Sequence, residues 1–147
     1  MFRHLLVPTD GSQLSRDTAA RAVAFARETG ARITFFCAEK AFPTMYVGTG
    51  AIFDAQAPAH FHAAEDAVAH DILRACEELA MQAGVECSTR ALASDEPYEA
   101  IIAAAEEAGC DLIFMASHGR RGIKALLLGS ETQKVLTHSS IPVLVYR

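Results

Sequence analysis

The sequence predicts an α/β protein built around a parallel sheet, and three observations carry that reading. Short apolar runs alternate with longer amphipathic segments along the whole chain. The run Leu112-Ile113-Phe114-Met115 is unbroken by any polar residue, as a strand covered on both faces requires. Clusters of turn formers punctuate the runs, giving the strand–helix alternation of a wound sheet. With 147 residues the chain has enough material for one compact domain spanning 1–147.

Taken in order, Leu5-Leu6-Val7 gives a first buried strand, closed by the turn cluster Pro8-Thr9-Asp10-Gly11-Ser12. Ala19, Ala22, Val23 and Phe25 follow at helical spacing, and Gly30 sits where a C-terminal cap belongs. A second strand runs from Ile33 to Ala38. Residues 40–58 then break the rhythm with Pro43, Gly48, Gly50 and Pro58 among scattered apolar residues, and read as a loop insertion. That loop either folds over a site or partner, or pads the sheet edge. A long helix is predicted from about Ala59 to Ala83, ended by Gly84. Glu86 to Leu92 alternates in character, which suits an edge strand. Asp95-Glu96-Pro97 opens a helix that closes at Gly109. Asp111 to Met115 makes the fourth strand; a glycine-punctuated loop, a helix from about Ser130 to Thr137 and a last strand Val143-Leu144-Val145 complete five strands and four helices.

Composition narrows the function. A net charge of -5 argues against nucleic acid, whose phosphates demand a basic face. The small basic group Arg120, Arg121 and Lys124 suits one polyphosphate rather than a duplex. Cys37, Cys76, Cys87 and Cys110 show neither metal nor redox spacing, which reads as a reduced, cytoplasmic setting. The N-terminal residues are interrupted too soon by Pro8 to read as a signal peptide, and no apolar run approaches the roughly 20 residues of a membrane span.

The most informative stretch follows the fourth strand. Ser117-His118-Gly119-Arg120-Arg121-Gly122 leads, through Ile123 to Leu128, into Gly129-Ser130 at the start of a helix. Glycines here let backbone approach a ligand closely, and the open N–H groups and positive dipole end of the helix attract an anion. Phosphate is the expected anion, with Arg120 or Arg121 adding charge and His118 within the loop able to hydrogen-bond it. Ligands of open α/β sheets bind beyond the carboxyl ends of strands, where strand order reverses. If the order is 3-2-1-4-5, Thr9-Asp10-Gly11-Ser12 faces the glycine segment. Asp10 then either accepts from ribose hydroxyls or an adenine amino group, or, with Ser12, only caps the first helix. Ser130 carries the same two readings, because Ser130-Glu131-Thr132-Gln133 is a capping box. The segment lacks the Walker A pattern, the nucleophile elbow and the dinucleotide fingerprint.

The segment resembles the nucleotide-binding signature of the universal stress protein family, G-x-x-G, nine residues, then G-[ST]. Gly119 and Gly129-Ser130 match its second and third glycines, and the first falls on Ala116. Val7-Pro8-Thr9-Asp10-Gly11-Ser12 and Ile141-Pro142-Val143-Leu144-Val145 are also similar to the family. The resemblance implies a doubly wound, Rossmann-like parallel sheet of order 3-2-1-4-5 with helices on both faces. It implies an adenine nucleotide, ATP with Mg2+ on its phosphates, as the ligand of a stress-response regulator. Gly119, Gly129, Ser130 and Glu131 would offer backbone N–H groups to phosphate, beside Ala116. Asp10 would meet ribose and adenine with Pro8 and Thr9 beside it, Ala38 would meet adenine through its backbone, and Met115 would lie beneath. Val143, Leu144, Val145 and Tyr146 would pair with a second copy in a homodimer. An alanine at position 116 would cost on the order of 1 kcal/mol if a positive φ is needed there; otherwise it adds one methyl beside the phosphates.

Other constellations are weaker. His62, Asp66 and His70 recur at i, i+4 and i+8 and either hold a divalent metal or lie on a solvated helix face. No catalytic triad is evident, so at most slow ATP hydrolysis is expected. The competing reading is an interaction protein on the same fold that binds no nucleotide.

Overall fold

The computed structural model describes residues 1–43, 55–119 and 128–147. Strands β1 (His4–Pro8), β2 (Arg32–Glu39), β3 (Cys87–Ala93), β4 (Leu112–Ala116) and β5 (Val143–Tyr146) alternate with helices α1 (Gln13–Thr29), α2 (Ala57–Gln82), α3 (Pro97–Ala108) and α4 (Ser130–His138). All pairings are parallel, in the order β3-β2-β1-β4-β5. That is the doubly wound order expected from the sequence.

The period-two alternation of the inner strands explains the two-sided core. Leu5, Val7, Ile33, Phe35 and Phe114 face one way, against Ala19, Ala22, Val23 and Ala26 of α1 and Ala69, Leu73, Cys76 and Ala80 of α2. Leu6, Phe36, Ile113 and Met115 face the other way, against Ala100, Ile101, Ala104 and Ala105 of α3 and Val135 of α4. Small alanines on the helices let them sit close to the bulkier strand residues. Cys37, Cys76 and Cys110 are buried as free thiols within these layers.

Local signals set most boundaries. Ser12 accepts the Ser15 N–H and caps α1, which closes at Gly30 with φ 71°. Gly109, with φ 68°, closes α3, and Pro97 opens it where a missing N–H costs nothing. The long helix begins earlier than the sequence suggests. Pro58 belongs to its first turn, so the loop insertion ends before residue 57 rather than at 58; residues 44–54 of that loop lie outside the described residues. Among the described residues no helix is long and apolar enough to cross a membrane.

One polar feature interrupts the apolar face beneath α3. His4 is 7% exposed, its Nε2 lies 2.8 Å from Thr34 Oγ1, and Thr34 Oγ1 lies 3.0 Å from Ser88 Oγ, a ladder across β1, β2 and β3. Among the described residues the buried His4 Nδ1 has no partner in good hydrogen-bond geometry. Burial pushes the imidazole below its ordinary value of 6.5 and the Arg32 charge adds to this, against opposing effects of Asp111, the Ala108 carbonyl and Glu86. The unfolded chain therefore takes up a proton at a higher pH than the folded one. The His4 contribution to stability is present above pH 6.5 and is lost as the pH falls from there through the lower folded value. Urea midpoints measured between neutral and mildly acidic pH should fall in the native protein and fall less steeply in His4→Gln. Equal slopes for the two proteins would contradict this.

Candidate functional site

The end of the sheet at which β1 and β4 stop is where strand order reverses, β1 running next to β2 on one side and β4 on the other. Beyond it, residues 9–12 after β1 meet the described ends of the segment between β4 and α4, residues 117–119 and 128–129. The loop after β1 is tightly built. Thr9 donates its N–H to the Phe36 carbonyl at 2.8 Å, which extends the β1–β2 ladder by one residue. Its hydroxyl lies 3.1 Å from Ser15 Oγ, and both side chains are buried. Asp10 Oδ1 accepts the Ser12 N–H at 2.9 Å, while Ser12 Oγ accepts the Ser15 N–H at 3.2 Å. The cap of α1 is thus Ser12. Asp10 braces the residue that caps and is half-buried beside the sheet end.

The loop after β4 is pinned through carbonyls. The Thr132 hydroxyl donates to the Ala116 carbonyl at 3.0 Å, a buried bond from α4 to the last residue of β4. Ser117 donates its N–H to Tyr146 at 2.8 Å and accepts the Gly129 N–H at 2.7 Å. Gly129 therefore sits directly over the strand end. A Cβ built on it would lie 3.1 Å from His118 Cα and 3.4 Å from the Ser117 carbonyl oxygen, close enough that backbone would have to yield. Gly119 makes the contact between the two loops. A Cβ there would lie 2.5 Å from Asp10 Oδ2, so glycine is what permits the approach.

The structure bears on the two readings of Ser130 and on Gly129. The capping box at Ser130 does not form. Gly129 is the N-cap residue, extended at φ -71° and ψ 156° with no side-chain cap, and Ser130 is already the first residue of α4. The cause is the Gly129-to-Ser117 bond, which fixes the extended residue one position earlier. That bond also uses the Gly129 N–H, which was expected to face phosphate. The amides of Ser130, Glu131 and Thr132 have no partner among the described residues, leaving three donors of a helix's open first turn. Glu131 turns its carboxylate away from them, toward the Tyr98 N–H at 2.9 Å and Lys134 at 3.3 Å.

Ala116 lies in β4, and among the described residues only glycines have positive φ, so alanine carries no backbone strain there. Pro8 and Ala38 are half-buried at the ends of β1 and β2, Met115 is buried in the α3–α4 core, and His118 Nδ1 lies 3.2 Å from Ser117 Oγ. Arg120 and Arg121 lie outside the described residues. Val143 to Tyr146 form an edge strand, each residue half-buried, with β4 on one side. His62, Asp66 and His70 are exposed on α2, and among the described residues no group of three or more His, Cys, Asp or Glu is gathered as for a metal. Ser15, Ser117 and Thr132 were not singled out from the sequence, although they frame the site. A buried hydroxyl within a helix's first turn leaves no mark in apolar periodicity, and in the sequence Ser117 and Thr132 appear only as members of the glycine segment and the capping-box pattern.

An open helix N-terminus and an aspartate set beyond one strand switch point could receive a small anionic ligand. Comparison with known proteins supplies the family. A model of the universal stress protein family matches residues 1–147, and the chain belongs to that family. Universal stress protein YxiE of Bacillus subtilis is 34% identical over 155 residues, covering 100% of each chain. Among solved structures, universal stress protein UspA from Lactobacillus plantarum has a TM-score of 0.81 at 23% identity, covering 99% of this chain and 98% of its own. A universal stress protein in complex with cAMP has a TM-score of 0.71 at 26% identity, covering 99% of this chain and 97% of its own.

The close approach at Gly119 gives a direct test of the loop geometry. Gly119→Ala should displace the Asp10 carboxylate, because a side-chain end yields more readily than backbone. The cost in stability should stay within about 1 kcal/mol, as for most surface-loop changes. A crystal structure of the variant together with urea unfolding measures both, and an unmoved Asp10 carboxylate beside Ala at 119 would contradict the geometry.

Proposed function

We propose that this chain binds an adenine nucleotide, ATP foremost, and serves as a cytoplasmic stress-response regulator that works as a homodimer. The observation that carries the reading is the set of open amides of Ser130, Glu131 and Thr132 at the start of α4, set beyond the same sheet end as Asp10. Backbone donors at a positive helix end suit phosphate, and they suit it without any basic side chain. Asp10 is the acceptor for ribose hydroxyls across the crevice, with Pro8, Thr9 and the backbone of Ala38 on the adenine side. His118 and Gly119 flank the phosphates, and Arg120 and Arg121 follow them in sequence. Mg2+ would accompany the nucleotide through its phosphates.

Support comes from the family match and from the 26%-identical relative that holds cAMP, an adenine nucleotide. Dimerisation is proposed through the outer edge of β5, which among the described residues has no strand beside it and where Val143, Leu144, Val145 and Tyr146 offer a half-buried apolar surface.

The test is calorimetry with ATP, with and without Mg2+, on protein stripped of copurifying nucleotide. Saturable binding below millimolar concentration, lost in Gly129→Asp, is expected. No binding at millimolar ATP would overturn the nucleotide reading in favour of an interaction protein on the same fold. Sedimentation equilibrium should give twice the 15.8 kDa chain mass, and a monomer at high concentration would remove the dimer from the proposal.

A further inference from the structure

The first turn of α3 lacks a cap of its own. Glu96 stands at its N-cap position and makes no side-chain cap bond. Pro97 has no N–H to satisfy, so Tyr98 carries the first donor of the helix. That donor is met from another helix: Glu131 Oε2 of α4 accepts the Tyr98 N–H at 2.9 Å. An N-cap side chain ordinarily bonds this same position of its own helix. Glu131 Oε1 is held in turn by Lys134 Nζ at 3.3 Å, and Lys134 Nζ reaches Glu96 Oε2 at 3.2 Å. The ammonium also stands 5.0 Å from the Tyr98 ring centre. One carboxylate therefore ties the starts of α3 and α4 together, inside a chain of opposite charges.

Glu131 is also the second residue of α4, in the turn whose amides are open. A carboxylate at this point has two places to go. Turned inward, it would lie at the positive end of its own helix and bond the very amides that phosphate needs, and its charge would repel the ligand. Turned outward, as found, it leaves those amides open and has its charge matched by Lys134. The Tyr98 N–H is what holds it outward.

We infer that the Glu131 side chain is a positioning residue for the phosphate site: by capping α3 in place of Glu96 it holds the first turn of α4 open and in register with the end of β4. This rests on the nucleotide reading above. It assigns the side chain a role separate from the backbone N–H of the same residue. The Thr132 hydroxyl on Ala116 and the Gly129 amide on Ser117 anchor the inner side of the turn. Glu131 anchors its outer side.

The test compares native protein, Glu131→Ala and Glu131→Gln for ATP affinity by calorimetry and for thermal unfolding without ligand. Glutamine keeps an acceptor for the Tyr98 N–H and loses only the charge. Glu131→Ala should weaken ATP roughly tenfold, the scale of one charged hydrogen bond, and should lower the unfolding temperature. Glu131→Gln should restore affinity to within about twofold of native, given a neutral bond's remaining strength. A Glu131→Ala protein that unfolds earlier yet binds ATP as tightly as native would overturn the positioning role, leaving only a helix cap. Failure of glutamine to rescue affinity would overturn it as well. Absence of ATP binding by the native protein would overturn both this inference and the reading on which it rests, a result distinct from the other two.

Discussion

The last residue of β4 and the one after it decide where α4 begins, and the proposed site depends on that placement. Ala116 and Ser117 each offer a carbonyl to α4's first turn, one taken by the Thr132 hydroxyl and the other by the Gly129 amide. With both bonds made, the helix starts at Ser130, and the amides of Ser130, Glu131 and Thr132 are left without intrahelical partners. A start one residue later would leave Ser130 as a side-chain cap and consume a donor. Glycine suits position 129 because a Cβ would lie 3.1 Å from His118 Cα and press on that backbone. Backbone accounting, rather than side-chain chemistry, supplies the donors on which the proposed anion site rests.

The opposite wall obeys the same logic. Thr9 continues the β1–β2 ladder, and its buried hydroxyl meets Ser15 in the first turn of α1. Asp10 is braced by the Ser12 amide, and Gly119 is bare where Asp10 approaches it. The two loops are therefore not independent. A side chain added at 119 acts on Asp10, and the strands behind both loops are buried on two faces, so the frame has little room to adjust. Rigid layers below and open polar groups above are what a preformed ligand site needs.

Much of this was legible in the sequence, and the particular residues show why. Leu5 to Val7 and Leu112 to Met115 announce buried strands because both faces must be apolar. Gly30 and Gly109 end their helices in the left-handed region, which favours glycine. Strand order follows from the family resemblance, and the switch point from strand order. What stayed hidden was the competition between two ways of starting α4. Ser130 to Gln133 spells a capping box, yet the Gly129 amide finds a better partner in Ser117, a contact between residues twelve apart with a loop between them. The outward turn of Glu131 was hidden for the same reason, since its partner Tyr98 lies 33 positions away. Pro58 misled in the other direction: read as a loop residue, it occupies a helix's first turn, where proline is tolerated.

The central claim concerns specific amides, so amide hydrogen exchange tests it most directly. In the free protein the Gly129 amide should already be protected by its bond to Ser117, while those of Ser130, Glu131 and Thr132 exchange quickly. Saturation with ATP should slow exchange at these three positions and leave Gly129 as it was. If ATP binds while the three amides continue to exchange at their free rates, the phosphates lie elsewhere and the account of α4 is wrong.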